Sequence, residues 1–479
     1  MHRCSSIDRF RRHPLDVQRE VFCELMNGGA KSKFGRDYNV SAALTYNKFA
    51  KDIPLFDYES FKPYIERMVE GESDVAVAGR INMFARSSGT TSDRSKYIPI
   101  SVKSFCNMHM RGMNDVGAIY NTIIPNSEVL NGKVLTLGGS AQVEGHALIG
   151  DLSGIIVKRF ALGNGWFRQP RMQTALLTNF DEKCERICKE CVGENITSFA
   201  GVPSWNLALM ARVLEYTGKS NIREVWPNME LFSHGGVEMT PYRQAYSQID
   251  GGGINYMETY NASEGFFAIA DDLDRDDMLL MLDYDTFYEF RVGDQIVPLE
   301  GVQLGVVYAL IITASNGLWR YEIGDTVEFA SLDPYRIRFA GRTRQYINAF
   351  GEELIVENTD KALVAACSAT GAVLSDYMVA PRFMDVGQKG CHQWLVEFIR
   401  PPHDVALFVE ALDLQLRSLN SDYDAKRQST LSLPDVTILA SGTFVRWMRS
   451  HNKSKLPRLN NDREKIEQVI NWIKTETKI

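Results

Sequence analysis

Apolar residues recur at helical spacing from Asp16 to Gly35, in "DVQREVFCELMNGGAKSKFG", and the pattern breaks at Gly28 and Gly29. It predicts an early amphipathic helix with a glycine end. A second helix is predicted in "YESFKPYIERMVEGE". From about residue 85 the texture changes. Short apolar runs such as "KVLTLGG", "MELFSHGG" and "INYMETYNASEG" alternate with longer amphipathic stretches such as "SFAGVPSWNLALMARVLEYTG". That alternation predicts sheets flanked by helices. Residues 277–330 read as strand-rich. Their run "GVVYALIIT" is too short to span a bilayer and predicts a buried strand.

Beyond "RFAGRTRQYINAFGEEL" a separate set of elements begins. "NTDKALVAACSAT" and "HDVALFVEALDLQLRSLN" are predicted helices, and "CHQWLVEFIR" is a predicted strand. Near the end, Ile466, Val469, Ile470 and Ile473 make one helical stripe. A boundary is expected at about residues 341–346, giving an N-terminal domain over 1–342 and a smaller C-terminal one over 343–479. The 479-residue length agrees with more than one core.

Composition narrows the partners. The chain is 44% hydrophobic and 24% charged, with a formal net charge of −7. It therefore has no general attraction to nucleic acid or anionic membrane, and any anion site must be built locally. The charged start "MHRCSSIDRFRRH" lacks an apolar signal stretch, and eight cysteines in so long a chain do not suggest a disulfide framework. The expectation is a cytoplasmic protein with reduced thiols. Nothing in the pattern fixes an oligomeric state, and a monomer is compatible with it.

Candidate chemistry starts at "RSSGTTSDRSKYIPI", which packs Ser87, Ser88, Gly89, Thr90 and Thr91 together and follows them with Lys96. An ordinary surface turn is one reading. The spacings of the nucleoside-triphosphatase P-loop and of the dinucleotide fingerprint are both absent. The alternative is a different phosphate loop, in which main-chain N–H groups and hydroxyls around Gly89 wrap the β- and γ-phosphates and Lys96 adds positive charge. "TYNASEGFF" supplies Glu264, a carboxylate suited to Mg²⁺. "WRYEIGDTVEF" puts Asp325 after a glycine, where a carboxylate can accept both ribose hydroxyls of a nucleotide.

In "SSGTTSDRSKYIP", "YNASEG" and "YEIGD" the chain resembles the auxin-responsive-promoter (Gretchen Hagen) family of acyl acid amido synthetases, a branch of the acyl-adenylate-forming enzymes. "FAKDIPLFDYESFKPYIERMVEGE", "GRTRQYINAFGEELIVENTDKAL", "HQWLVEF", "LNSDYDAKR" and "KLPRLNNDRE" extend the resemblance over most of its length, in the bacterial form. The resemblance implies an α/β fold with a large N-terminal domain of sheets flanked by helices and a small mobile α/β C-terminal domain. Arg342 stands at the hinge between them.

It also implies a two-step reaction with ATP as co-substrate and Mg²⁺. A carboxylic acid is adenylated with loss of pyrophosphate, and an amino acid amine then displaces AMP. Ser87, Ser88, Gly89, Thr90, Thr91 and Lys96 would hold the phosphates. Gly235, Gly236, Val237 and Tyr260 would line the adenine, with Asn261, Ala262 and Ser263 in the same nucleotide motif. Glu264 would serve the metal, and Asp325 and Arg342 would meet the nucleotide. Lys455 would reach the α-phosphate and the acyl carboxylate. The family's glycine-rich approach to that lysine is replaced here by "RSHNKSKLPR", which brings in Lys453 as a second candidate. Ser140, Leu152 and Trp205 are candidates for the acyl pocket. The alternatives are transfer to a thiol of coenzyme A or a carrier, and a nucleotide-binding homologue without ligase activity.

Two motifs point elsewhere. "KCERICKEC" matches an iron–sulfur ligand spacing. Yet Phe180, Cys184, Ile187, Cys188 and Cys191 share one helical stripe among charged residues, which predicts packing. The eight histidines show no zinc spacing, and His234 is expected to be structural.

Overall fold

A computed structural model describes residues 2–88, 95–160, 167–343, 345–451 and 456–476 of the chain, with the backbone alone at residues 2, 87, 88, 95 and 160. Gly89, Thr90, Thr91, Lys453 and Lys455 therefore lie outside the described residues. The predicted first amphipathic helix is Pro14–Gly29, which buries Val17, Val21, Phe22, Leu25 and Met26. Pro14 opens it, where a missing N–H costs nothing. The second is Tyr58–Val69. Asp57 caps it by accepting from the Ser60 N–H, while the Ser60 hydroxyl accepts from the Asp57 N–H.

Among the described residues a twelve-stranded sheet forms the spine. From one edge its antiparallel part runs Gln295–Pro298, Thr286–Val292, Val307–Ala314, Tyr321–Leu332, Tyr335–Arg342, Met278–Leu280, Gly265–Ile269 and Asn255–Ala262. It continues in parallel through Leu231–His234, Ile196–Gly201, Lys133–Thr136 and Arg168–Gln169. The apolar run near residue 310 is the almost wholly buried strand Val307–Ala314. A smaller sheet orders Ser95–Pro99, Met83–Ser88, Ala147–Gly150 and Ala141–Glu144.

Helices Phe180–Cys191 and Pro203–Thr217 flank the parallel strands. Cys184, Cys188 and Cys191 are buried on the first of these, and burial pushes the Cys184 and Cys191 thiols up to about 12. They pack as small hydrophobes, as the stripe predicts. Among the described residues no helix is long and apolar enough to cross a membrane.

Arg342 ends the last strand of the large sheet. Beyond it, Val373–Arg382, Cys391–Arg400 and Asp435–Leu439 make a three-stranded sheet. Helices Val356–Thr370 and Val405–Leu419 pack on each other. Helix Glu464–Glu476 buries Ile466 and Val469 beside Phe444 and Trp447, with Ile470 and Ile473 against them. The predicted terminal stripe is thus its packing face. One apolar cluster continues from the parallel strands, through Leu207, Phe232 and Tyr242, into Phe350, Leu363 and Trp394. Ser204 donates to the Phe350 carbonyl at 3.0 Å across the same seam.

The N-terminal helices are fixed to the large sheet by a buried ion pair. Arg320 donates to both Glu289 oxygens at 2.9 Å and to the carbonyls of Ala50 and Ile53. Replacing Arg320 with Met leaves the Glu289 carboxylate buried without its cation. Unfolding free energy is expected to fall by about 3–5 kcal/mol, seen as a lower urea midpoint at unchanged slope.

Candidate active site

Asp325 lies in the strand Tyr321–Leu332, directly after Gly324, whose φ of +91° favours glycine. The neighbouring strand sets Arg342 opposite Asp325 in register. The Asp325 side chain is buried, and both its oxygens are engaged. Tyr260 O–H donates to Oδ2 at 2.7 Å and Arg342 Nε donates to Oδ1 at 2.9 Å. Burial lifts this carboxyl above its usual range, against the pull of the Arg342 charge and the Tyr260 hydroxyl. Each oxygen keeps a further lone pair with which to accept a hydroxyl. Arg342 also reaches Glu353 through both terminal nitrogens, at 3.1 and 3.2 Å, and its guanidinium stands 5.2 Å from the Tyr346 ring centre.

Tyr260 comes from strand Asn255–Ala262, with three strands between it and the strand of Asp325 in sheet order. Its ring packs edge-on to Phe267 and Phe339, which fixes the direction of its hydroxyl. Its observed contact is with the ribose candidate Asp325. Asn261 and Ala262 end the strand, and Ser263 and Glu264 form the turn to Gly265–Ile269. Desolvation, followed by the nearby Asp325 charge, raises the Glu264 carboxyl to about 7, while Lys96 pulls the other way. Lys96 follows directly from the hydroxyl loop. It pairs with Ser87 across the antiparallel strands Met83–Ser88 and Ser95–Pro99, with its ammonium 5.2 Å from the Tyr58 ring centre. The hairpin thus brings the start of the hydroxyl-rich stretch and its lysine to one edge beside Glu264.

The candidate adenine loop leaves strand Leu231–His234. A Cβ on Gly235 would stand 2.3 Å from the Thr259 carbonyl oxygen, so only glycine allows this approach. Gly236 has φ +81°, and its carbonyl accepts from Asn348 Nδ2 at 2.9 Å. Val237 is buried in the core shared across the seam. His234 is also buried, which drives its imidazole down to about 3 and keeps it neutral, in accord with a structural role.

The three acyl-pocket candidates separate. Ser140 is exposed and holds Asp151 through its N–H at 2.5 Å. Leu152 packs on the N-terminal core. Trp205 faces two lysines, with Lys426 Nζ 3.7 Å and Lys183 Nζ 5.9 Å from ring centres. Sequence reasoning missed Glu353, Asn348 and Lys426. The first two stand in "INAFGEEL" without a spacing that marks them. Lys426 stands in "YDAKR", where a charged run reads as a solvated helix face.

Both flanks of the candidate lysine segment are held by hydrogen bonds, one of them to the stretch just beyond Arg342. Helix Thr443–Ser450 is gripped at its start by buried Glu397, which accepts from the N–H groups of Gly442 and Phe444 at 2.6 and 3.0 Å. On the other side, Arg458 N–H donates to Gln345 Oε1 at 3.1 Å, and Asn348 N–H donates to Asn461 Oδ1 at 2.6 Å. Arg458 is also paired with Asp376 and Asp360.

Replacing Tyr260 with Phe removes the donor that aims Asp325. Dissociation constants for ATP measured by calorimetry are expected to rise about tenfold, with folding cooperativity retained.

Comparison with known proteins bears on this arrangement. The GH3 family N-terminal domain matches residues 3–160 and 143–253, the GH3 family central domain matches 279–342, and the GH3 family C-terminal domain matches 357–464. The indole-3-acetic acid-amido synthetase GH3.10 of Arabidopsis thaliana is 22% identical over 59% of this chain, a match that spans 62% of that relative's length. Among solved structures, the GH3.15 acyl acid amido synthetase superposes with a TM-score of 0.61 at 15% identity, covering 98% of this chain and 96% of that one. A 2-hydroxyisobutyryl-CoA ligase in complex with 2-HIB-AMP and CoA gives 0.56 at 14%, covering 96% and 91%. These likenesses bear out the expected α/β architecture, a large sheet-based N-terminal part followed by a smaller C-terminal one. With family matches along most of its length, the chain belongs to the GH3 family.

Proposed function

We propose that the protein is an ATP-dependent acyl acid amido synthetase that joins a small carboxylic acid to the amine of an amino acid. The observation that carries this reading is the buried Asp325, aimed by Tyr260 and Arg342 and set beside Glu264 and the lysine of the hydroxyl-rich loop. In the first step a carboxylate oxygen of the acid attacks the α-phosphorus of ATP. The bond to the bridging oxygen breaks and pyrophosphate leaves. In the second, the amine nitrogen attacks the acyl carbon, the bond to the AMP oxygen breaks, and the amine gives up a proton. Adenylation is needed because a carboxylate is a poor electrophile at neutral pH, and the rest is positioning and charge neutralisation.

In this scheme Asp325 accepts the ribose hydroxyls. Gly235, Gly236 and Val237 line the adenine, and Lys96 neutralises the departing pyrophosphate with the hydroxyls from Ser87 to Thr91. Arg342 and Glu353 tie the nucleotide floor to the following segment, which supports a hinge at 342/343. Lys455, or Lys453 beside it, approaches the reacting carboxylate.

Glu264 fits a magnesium ion. It is a hard oxygen donor in a partly open turn, next to the lysine of the phosphate loop. When bound, Mg²⁺ would neutralise phosphate charge. Only the ionised carboxylate binds a cation. The apparent Mg²⁺ affinity in the presence of ATP is therefore expected to rise with pH up to about 7 and to level off above it. Glu264→Gln is expected to flatten that profile.

The function itself is tested by acid-dependent ATP–pyrophosphate exchange over a panel of aryl and alkyl acids, followed by addition of amino acids or coenzyme A. Amide and AMP formed with an amino acid support the proposal, whereas release of AMP with the thiol alone replaces it. Asp325→Ala is expected to reduce exchange at least 100-fold, through loss of charge-assisted hydrogen bonds to the nucleotide.

A further inference from the structure

Lys426 lies on helix Ser421–Ser429, which packs against the strand Met83–Ser88 that leads into the hydroxyl loop. Only 6% of it is exposed. Its ammonium stands 3.7 Å from a ring centre of Trp205, and among the described residues no oxygen pairs with it. The backbone around it is cut to fit. Gly351, at φ +91°, leaves room where a Cβ would come within 3.2 Å of Nζ and 3.7 Å of Val202. Val202 in turn touches the space beside Gly236 of the adenine loop. The acidic groups that act on Lys426 are Asp422, Asp151, Glu352 and Glu353. Of these, Glu352 engages His392 and the Phe350 N–H, Glu353 engages Arg342, and Asp151 engages Ser140.

A largely buried ammonium with three N–H donors and no acceptor among the described residues is costly, and an aromatic face repays only part of the lost hydration. Such a group is explained when a ligand supplies the anion. The proposed reaction offers few anions for it. The nucleotide's phosphates belong to the hydroxyl loop and Lys96. The acid's own carboxylate is consumed in the mixed anhydride before the amine attacks. What remains at the second step is the α-carboxylate of the amino acid.

We propose that Lys426, backed by Trp205, is the binding group for the α-carboxylate of the acceptor amino acid. This rests on the amido synthetase reading and deepens it. It assigns the second substrate's pocket to the seam between the parallel sheet and the C-terminal elements. It also moves Trp205 from the acyl side to the acceptor side. Lys183 stands on Trp205 as well, but its ammonium already donates to the Gly138 carbonyl at 2.6 Å.

The test compares an accepted amino acid with its own carboxamide as acceptors, in wild type, Lys426→Met and Lys426→Arg. Wild type is expected to show a KM about 10- to 100-fold lower for the amino acid than for the carboxamide. Lys426→Met is expected to raise the amino-acid KM by that factor and leave the carboxamide KM in place. Lys426→Arg is expected to keep most of the preference. The KM for the acid in pyrophosphate exchange is expected to move less than threefold. An unchanged amino-acid KM in folded Lys426→Met, or an equal loss with both acceptors, overturns the assignment.

A direct titration separates this from the broader reading. Quenching of Trp205 fluorescence, taken against Trp205→Phe, is followed as free amino acid or carboxamide is added to the ATP-saturated protein. Absence of acid-dependent exchange in wild type sinks the synthetase reading. Carboxylate-dependent quenching that Lys426→Met abolishes supports the Lys426 assignment by itself, and its absence in wild type overturns it.

Discussion

The Asp325 carboxylate is the point on which the two halves of the chain meet. It is buried in the large sheet, and both its oxygens are held: one by Tyr260 from the nucleotide hairpin, the other by Arg342 from the last strand before the C-terminal elements. Arg342 passes the connection on to Glu353. A buried carboxylate needs partners that hold its charge, and each partner here belongs to a different stretch of chain. The ion pair therefore does more than satisfy a charge. It ties strands Tyr321–Leu332 and Tyr335–Arg342 together at the candidate ribose carboxylate, and it tethers the segment that follows.

The same seam carries a continuous apolar cluster and a set of polar clasps. Tyr242 donates to the Ala349 carbonyl, Ser204 to that of Phe350, and Asn348 to that of Gly236. The Asn348 N–H also donates to Asn461, so the candidate adenine loop, the stretch beyond Arg342 and the stretch after the candidate lysines are joined through one side chain and its backbone. Burial of the cluster holds the C-terminal elements against the N-terminal ones in this arrangement, whereas the hydrogen bonds select the register. The Asn348 and Gln345 contacts lie at one end of this seam. These are few and partly exposed, which makes them the low-cost end of the seam.

Much of this was legible in the sequence, for identifiable reasons. The strand Val307–Ala314 is an unbroken apolar run because it is buried on both faces. The helices Pro14–Gly29 and Val405–Leu419 announce themselves through spacing and ends. The cysteine stripe of Phe180–Cys191 reads as packing because its other positions are charged. Asp325 and Glu264 stand out because a carboxylate beside glycine or small residues at a strand end is a compact signal. Contacts between distant segments were not legible. Tyr260 meets Asp325 across 65 positions, and only a bulged antiparallel hairpin and the intervening strands bring them together. Nor could Lys426 be found by pattern, since a lysine between Ala425 and Arg427 has the look of a solvated face until Trp205 and Gly351 close over it.

The position of that lysine bears on the order of events. Before adenylation the site must accommodate four phosphate-side charges and the acid's carboxylate, which call for cations near the hydroxyl loop. Pyrophosphate carries most of those charges away, one stays on the α-phosphate of the adenylate, and the remaining barrier is attack by a neutral amine on a carbonyl carbon. Lys96 stands over Tyr58 and Lys426 over Trp205, so the two ammonium groups occupy different aromatic faces, and the first task falls to Lys96 in the proposed scheme. For the second, Lys426 sets the acceptor's backbone while leaving its amine free, provided the amine is the nearer end to the acyl carbon. On the proposed assignment, charge at the seam and charge at the loop serve successive steps. This division allows one compact site to bind anions of opposite ends of the reaction without placing like charges side by side.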